Sequence, residues 1–187
     1  MSVLEQGQIQ IHTENIFPII KKAVYSGHEV FLRELVSNGT DAISKRRMAA
    51  MAGDCSEGDE GLINITVDRE AKTVKISDNG IGMTADEVKK YINQVAFSSA
   101  EDFLEKYKQE SDAIIGHFGL GFYSSFMVAK EVELITRSAR PESDAVRWVC
   151  DGSPAFKLES HERSEPGTDV ILHLMDDELE YLEPARL

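Results

Sequence analysis

The segment LRELVSNGTDAIS, residues 32–44, has an apolar repeat with the period of an α-helix around a centre that is poor in helix-forming residues. The repeat predicts an amphipathic helix from about residue 29 to residue 51. Its centre is Ser-Asn-Gly-Thr-Asp, in which Gly39 alone costs about 1 kcal/mol relative to alanine. A solvated face has no need of such residues. A binding site does, because it uses short oxygen-bearing side chains and close approach of the backbone.

The polar side of this helix holds residues that could act on one small ligand. Four side chains fall within about 60° of one another on a helical wheel, and they are Glu34, Asn38, Asp41 and Lys45. Exposure to solvent is the simpler explanation of such a face. Glu34 and Asn38, however, lie four residues apart and could present a carboxylate and an amide oxygen together. That arrangement would place a general base beside a magnesium ligand.

The overall composition restricts the class of protein. The 187 residues are 42% hydrophobic and 28% charged, which is typical of a globular domain with a real core. A net charge of -13 repels a phosphate backbone, so we expect no nucleic acid as partner. Cys55 and Cys150 form no CxxC pair, which argues against a zinc site and favours a reducing compartment. The N-terminal residues do not resemble a signal peptide and no apolar run could span a bilayer, so we expect a cytoplasmic protein without membrane attachment.

The remaining periodicities predict an α+β chain with helices first and antiparallel strands last. We expect a strand around Ile9 and Ile11, a helix over about 15–25, and two strands in residues 62–80 joined by a tight turn near Glu70-Ala71. Further helices are predicted at about 84–96 and 100–109, and another after the glycine-rich residues 115–121. Four strands follow, at about 131–139, 145–150, 155–160 and 167–175, and a new helix begins near the end. This order indicates a two-layer α/β sandwich, cut at residue 187 from a longer chain.

Two glycine-containing loops are candidates for contact with a ligand. In VKISDNGIGM a strand ends at Asp78, and the Gly-Ile-Gly that follows could let the backbone approach a ligand, although Asn-Gly is also a common hairpin turn. In GHFGLGFYSSF the glycines precede an apolar helix, where backbone amides could hold phosphate, although glycine could equally serve helix packing. The spacing matches neither a Rossmann fingerprint nor a Walker P-loop. Thr168, which begins a strand in EPGTDVILHL, is by itself only a β-former.

Taken together and in this order, these motifs resemble a known family. ELVSNGTDA, DNGIGM and GHFGLGFYSSF are similar to the ATP-binding fold shared by gyrase, histidine kinases, mismatch-repair ATPases and the ninety-kilodalton heat-shock chaperones, the Bergerat fold. YSGHEVFLRELVSNGTDA, GFYSSFMVA and EPGTDVILHL resemble the N-terminal domain of the chaperone in its bacterial form. The resemblance covers essentially all of residues 1–187. It implies one nucleotide-binding domain of a stress-response chaperone.

The resemblance also implies a role for individual residues. Asp78 would accept the adenine amino group and share a bound water with Thr168. Asn38 would hold Mg²⁺ together with the phosphates of ATP or ADP. Glu34, with Arg33 beside it, would orient and deprotonate the attacking water. Gly82 and Met83 would line the adenine pocket, and Gly119, Gly121 and Phe122 would belong to the phosphate-facing hinge. Asp41 would be a further nucleotide-binding residue.

The resemblance carries expectations about the whole protein too. Residues 97–117 would be a lid that closes over ATP, and the strand with Ile9 and Ile11 would exchange between two domains of a homodimer that acts on client proteins. The isolated domain should be mainly monomeric and a weak ATPase, because the family takes its γ-phosphate arginine from the next domain. The chain departs from the family at the lid hinge, where Phe97 replaces a nucleotide-contacting lysine.

Three other functions remain open from the residues alone. A histidine kinase would need a phosphorylatable histidine on a preceding dimerisation helix, and neither His12 nor His28 fits. A gyrase-like DNA ATPase is disfavoured by the net charge. A nucleotide-sensing module without useful hydrolysis is the third.

Overall fold

The computed structural model describes residues 27–56, 58, 60–93 and 121–187. Two α-helices lie in this part, α1 at Val30–Met51 and α2 at Ala85–Tyr91. Six strands are β1 Ile63–Asp68, β2 Thr73–Asp78, β3 Ala129–Arg137, β4 Ala145–Cys150, β5 Lys157–His161 and β6 Gly167–Leu174. Short 3₁₀-helices occupy Gly121–Met127, Leu179–Leu182 and Pro184–Arg186.

The strands form one antiparallel sheet in the order β1-β2-β6-β3-β4-β5. Residues alternate between its two faces, and the apolar set of one face packs against the helices. The core includes Phe31 and Leu35 of α1 with Val74, Leu134 and Leu172 of the sheet. The predicted α+β two-layer sandwich is therefore confirmed.

The opposite face of the sheet is polar, and its charged side chains bind one another. Glu133 accepts from the Arg147 Nε at 2.6 Å through one carboxylate oxygen and contacts His173 at 2.6 Å through the other. Arg147 also donates to Glu159 on the next strand. Both carboxylate oxygens of Glu133 therefore have partners. The four side chains form a row of cross-strand pairs on this face of the sheet.

The weak centre of α1 is explained by how closely the helix approaches the sheet. A Cβ atom on Gly39 would lie 3.1 Å from Ile63 and 3.4 Å from Asp78. A Cβ atom here would require the Ile63 side chain to shift by a few tenths of an ångström, so glycine lets the helix backbone lie over the end of β2 without that displacement. The close approach expected from the sequence is therefore present, and Asp78 lies against it.

Several predicted elements differ in extent or type. The β1–β2 hairpin has a four-residue turn, in which Lys72 has φ 54° and Asp68 Oδ1 accepts from the backbone N–H of Glu70 and Ala71. Of the helix predicted over 84–96, the structure describes residues 84–93, and among these Ala85–Tyr91 is helical, begun by a capping box between Thr84 and Glu87.

Two further elements differ from the prediction in helix type. The helix predicted after residues 115–121 is a 3₁₀-helix at Gly121–Met127, and the final predicted helix is a pair of 3₁₀ turns. The strand at Ile9 and Ile11, the helices at 15–25 and 100–109, and the lid with Phe97 lie outside the described residues.

The last residues of the chain pack against the start of α1. Tyr181 is buried with its ring edge-on to Phe31, at a centroid distance of 5.0 Å. The carboxylate of Glu178, also buried, contacts His28 Nδ1 at 2.5 Å. This segment therefore helps to fix the N-terminal turn of α1. Among the described helices, none combines the length and apolar character that crossing a membrane requires.

Candidate functional site

A row of three polar residues crosses the centre of the sheet on its helix-covered face. Asp78 at the end of β2 lies opposite Thr168 on β6, and Thr168 lies opposite Thr136 on β3. The Oγ1 atoms of the two threonines are 3.0 Å apart. Neighbouring positions in these strands are apolar and buried, so the row is a polar patch in an otherwise hydrophobic layer.

The loop after β2 is tied to α1 and to β3 through its backbone. The Ile81 N–H donates to the Ala42 carbonyl of α1 at 2.9 Å, and the Ile81 carbonyl accepts from Ala139 at 2.8 Å. The Met83 N–H donates to Thr136 Oγ1 at 2.9 Å. Asn-Gly here begins a loop between β2 and α2, so the simple hairpin interpretation of DNGIGM is wrong.

Two glycines of this region have positive φ and leave no room for a side chain. Gly82 has φ 60°, and a Cβ atom there would lie 1.9 Å from the Arg137 carbonyl oxygen. Gly167 has φ 127°, and its Cβ would lie 2.1 Å from the Asp78 carbonyl oxygen. The glycines thus let the loop and the start of β6 pass within van der Waals distance of neighbouring backbone.

The surroundings of Asp78 change the pKa of its carboxyl group. Burial raises the pKa of Asp78 to about 7, and the Gly80 N–H, which donates to Oδ1 at 2.8 Å, opposes this shift. The Arg163 guanidinium, held by Asp169 at 2.9 Å, also favours the ionised form. A carboxyl group of this kind exchanges its proton near neutral pH and gains from any ligand that donates to it.

The predicted polar face of α1 is divided by burial. Asp41 and Lys45 are buried, while Glu34 keeps 30% of its side-chain surface and Asn38 is exposed. Burial lowers the pKa of Lys45, although the carboxylates of Asp41 and Glu87 oppose that shift. Glu34 and Asn38 therefore remain accessible from outside, while Asp41 and Lys45 form the inner end of the same stripe.

Glu34 lies against the 3₁₀-helix Gly121–Met127. A Cβ atom on Gly121 would be 2.7 Å from Glu34 Oε2, so the glycine leaves space for the carboxylate. Arg33 Nη2 lies 3.8 Å from Glu34 Oε1, but 75% of the Arg33 side chain is exposed. Phe122 is buried and packs edge-on against Trp148 at 5.6 Å, which places its ring in the core.

The oxygen donors on α1 suit a hard cation. Glu34 and Asn38 offer a carboxylate and an amide oxygen at accessible positions one helical turn apart. Mg²⁺ prefers such oxygen ligands, keeps several waters and completes its octahedron with phosphate oxygens. The donor set fits Mg²⁺ bound jointly with a polyphosphate.

The structure thus brings most of the predicted residues to the helix-covered face of the sheet. Asp78, Thr168, Gly82 and Met83 meet around the polar row, while the accessible part of the α1 stripe lies toward Gly121. Gly119 lies outside the described residues.

Sequence reasoning missed Thr136, Gly80 and Gly167. A signal for Thr136 existed, because it is the polar member of an inward-facing series with Val132 and Leu134. Gly167 directly precedes Thr168 and could have been noticed with it. Gly80 was considered only as a turn residue, whereas a Cβ there would lie 2.5 Å from the Ala42 carbonyl carbon of α1.

Comparison with known proteins agrees with this geometry. Residues 25–161 match the sequence model of a family described as histidine kinase-, DNA gyrase B-, and HSP90-like ATPase. The chain is 56% identical over 184 residues to the chaperone protein HtpG of Bacteroides thetaiotaomicron, covering 98% of this chain and 27% of that protein. It is 50% identical over 185 residues to HtpG of Porphyromonas gingivalis, with the same two coverages, and 40% identical over 191 residues to HtpG of Roseobacter denitrificans, covering all of this chain and 31% of that protein.

The chain therefore spans only about a quarter to a third of the length of these relatives. The predicted resemblance to the ATP-binding fold is confirmed, and its bacterial chaperone form agrees with the names of the relatives. The matched residues include α1, the loop after β2 and the 3₁₀-helix Gly121–Met127. The chain belongs to the family of histidine kinase-, DNA gyrase B- and HSP90-like ATPases.

Proposed function

We propose that this chain is the N-terminal ATP-binding domain of a molecular chaperone and that it hydrolyses ATP to ADP and phosphate. The observation that carries the proposal is Asp78, a largely buried carboxyl group with a pKa near 7 at the end of a strand, beside a glycine loop whose backbone is fixed on both sides. The HtpG relatives support the chaperone assignment.

At the base end of the site, Asp78 accepts the exocyclic amino group of adenine. Thr168, opposite Asp78 in the sheet, shares a bound water with it, while Gly82 and Met83 line one side of the base. Ionised Asp78 accepts hydrogen bonds only, so it favours a base that offers an N–H. Asp41 lies at the inner end of the α1 stripe and completes this side of the pocket.

At the phosphate end, the accessible residues Asn38 and Glu34 of α1 serve the metal ion and the attacking water. Asn38 holds Mg²⁺, which neutralises charge on the phosphate oxygens when it is bound. Glu34 orients a water molecule and takes its proton, a role for which its half-exposed carboxylate against Gly121 is suited. Gly119, Gly121 and Phe122 belong to the hinge that faces the phosphates, and Arg33 flanks Glu34.

Residues 97–117 close as a lid over ATP, and closure drives pairing of two N-terminal domains, so that the full-length homodimer acts on client proteins in the cytoplasm during stress. The domain alone is mainly monomeric, and its surface, with a net charge of -13, takes no part in nucleic-acid binding.

Calorimetric titration with ADP and Mg²⁺ tests the proposal. We expect the wild-type domain to bind ADP and the Asp78→Asn variant to lose measurable binding while remaining folded, because the buried hydrogen bond to a charged acceptor is worth roughly 1.5–3 kcal/mol and the amide presents a donor to the amino group. Asp176→Asn, at a carboxylate with 81% of its side chain exposed, is the matched control and should bind like wild type. Near-normal ADP affinity in Asp78→Asn would contradict the assignment of the base site.

A further inference from the structure

We propose that Glu131, Glu133 and His173 form a zinc-binding site on the face of the sheet that is turned away from the helices. The site is separate from the proposed nucleotide site, which lies on the helix-covered face. Glu131 and Glu133 lie on β3 and His173 lies on β6, so residues that are distant in the sequence provide the ligands. No thiol takes part, so the absence of a CxxC pair does not bear on this site.

The pairing of β3 with β6 brings the three side chains to one face of the sheet. Glu131 lies directly opposite His173, and Glu133, two residues further along β3, is on the same face. The exposed fraction of the side chain is 44% for Glu131, 14% for Glu133 and 27% for His173. A cation can therefore reach these groups from solvent, while the paired strands fix their backbone positions.

The distances among the ligand atoms suit a zinc ion. His173 Nε2 lies 2.6 Å from Glu133 Oε1 and 3.8 Å from Glu131 Oε1, and one ligand atom from each residue lies within 4.8 Å of the others. Ligand atoms at about 2.1 Å from a tetrahedral zinc ion are about 3.4 Å apart. Small side-chain rotations therefore suffice to bring all three ligands to the metal, and the strands need not move.

A hydrogen bond between a glutamate and the histidine accounts for only part of this arrangement. Nε2 of His173 carries at most one proton, and Glu133 at 2.6 Å accepts it. Glu131 is too far from the same nitrogen for a hydrogen bond, and among the described residues it has no other ion pair. Two carboxylates thus face one imidazole nitrogen, an arrangement that is repulsive unless a cation lies between them.

Arg147 orients one of the two carboxylates. Its Nε donates to Oε2 of Glu133 at 2.6 Å, which leaves Oε1 directed toward His173. Hydrogen bonds of this kind fix the direction of carboxylates that bind metals. Arg147 also donates to Glu159 at 2.8 Å, on the strand farther from His173, so part of its charge is neutralised away from the proposed metal.

The combination of one nitrogen and two oxygens selects the metal. Imidazole suits zinc and the neighbouring transition metals, whereas Mg²⁺ and Ca²⁺ prefer oxygen ligands. Three protein ligands leave one tetrahedral position, which a water molecule fills. We therefore expect zinc to bind here even in excess Mg²⁺, and without nucleotide.

Calorimetric titration of the nucleotide-free chain with Zn²⁺, in excess Mg²⁺, tests the inference. We expect one zinc ion per chain in wild type. Binding should be at least about tenfold weaker in His173→Asn and in Glu131→Gln, because each variant removes one ligand. His161→Asn, at an exposed histidine of β5, is the matched control and should bind zinc within about twofold of wild type.

Co²⁺ in place of zinc identifies the ligands. Four-coordinate Co²⁺ with nitrogen and oxygen ligands absorbs visible light without the near-ultraviolet charge-transfer band that a thiolate produces. This spectrum should appear in wild type and be lost in His173→Asn. If His173→Asn does not fold, Glu131→Gln, at a side chain that is 44% exposed, gives the same comparison.

Three results would overturn the zinc site. The first is a wild-type chain that binds no zinc. The second is zinc affinity that either ligand variant leaves unchanged. The third is a thiolate band in the Co²⁺ spectrum, which would place the metal at Cys55 or Cys150 instead.

Discussion

At the scale of single residues, Asp78 shows how a carboxyl group that we propose for ligand binding can oppose stability. Burial raises its pKa to about 7 from an ordinary value of 3.8, so the folded chain binds this proton more tightly than the unfolded chain does. The resulting contribution to stability is complete below about pH 3.8 and is lost as the pH rises through about 7. At the pH at which we expect the charge to serve ligand binding, the empty domain is less stable because of it.

The first residue-scale prediction uses the same Asp78→Asn variant without nucleotide. Relative to wild type, its free energy of unfolding should increase between pH 5 and pH 8 by about 2–3 kcal/mol, because each pH unit between 5 and the folded-state pKa of about 7 corresponds to about 1.4 kcal/mol. Urea unfolding at several pH values measures this difference. A difference that does not vary with pH would show that the carboxyl group titrates normally in the folded domain.

The second residue-scale prediction compares two glycines of positive φ. Gly82→Ala combines left-handed backbone with a Cβ atom 1.9 Å from the Arg137 carbonyl oxygen, whereas Gly53, at φ 80°, has no atom within 4 Å of the added Cβ. We expect Gly53→Ala to cost about 1–2 kcal/mol of unfolding free energy from its backbone alone. Gly82→Ala should cost at least about 2 kcal/mol more, because β3 must move. A similar loss of unfolding free energy in both variants would show that the loop after β2 shifts at little cost to accommodate the added methyl group.

At the scale of elements, the contact between α1 and the 3₁₀-helix Gly121–Met127 places the proposed general base. Gly121 leaves room for the Glu34 carboxylate, and Ser124 Oγ donates to the Gly121 carbonyl at 2.6 Å within the short helix. The position of Glu34 therefore depends on an element that follows it by a long stretch of chain.

Gly121→Ala tests this dependence in the full-length protein. The added methyl group would push against Glu34 Oε2, the end of a flexible side chain, so stability should change little while ATP turnover falls about tenfold or more. Glu34→Ala sets the lower limit, since a positioned general base contributes on the order of 10²–10⁴ in rate. Normal turnover in Gly121→Ala, beside slow turnover in Glu34→Ala, would separate the 3₁₀-helix from catalysis.

The elements also show what could be predicted from sequence and why. The hairpin β1–β2 and the strands β4 and β6 were located closely because alternation of apolar residues is a local signal. The type of the helix that begins at Gly121 could not be predicted, because a run of apolar residues does not distinguish α-helical from 3₁₀ hydrogen bonding. Motifs identified Asp78, Gly82 and Thr168 as candidates. The place of Thr136 in the polar row could not be predicted, because it depends on β6 lying between β2 and β3, a pairing between distant segments.

At the scale of the whole molecule, the contacts of several arginines support our proposal that the γ-phosphate arginine comes from outside this chain. All nine arginines lie in the described part of the sequence. Arg140 and Arg147 pair with glutamates, Arg163 pairs with Asp169, and Arg137 donates to backbone carbonyls. Arg33, the neighbour of Glu34 in sequence, is largely exposed.

We therefore predict that residues 1–187 bind ATP but turn it over much more slowly than the full-length protein at matched saturation. An arginine supplied from elsewhere in such systems is worth about 10³–10⁵ in rate, so the loss should be tenfold at the least. The test is the ATP turnover per site of the two proteins. The Glu34→Ala variant of each protein gives the background rate to be subtracted. Equal turnover would show that no outside arginine is needed.

The strand order also has a consequence for synthesis of the protein. Asp78 is made early, but its partner strand β6 is the last strand of the sheet to be translated. A ribosome-bound chain can form the β1–β2 hairpin as soon as it emerges, yet Thr168 can lie opposite Asp78 only after β6 has left the exit tunnel and inserted between β2 and β3. Nascent chains should therefore acquire nucleotide affinity late and abruptly, so a stalled-chain series would record completion of the sheet as a step in ADP binding.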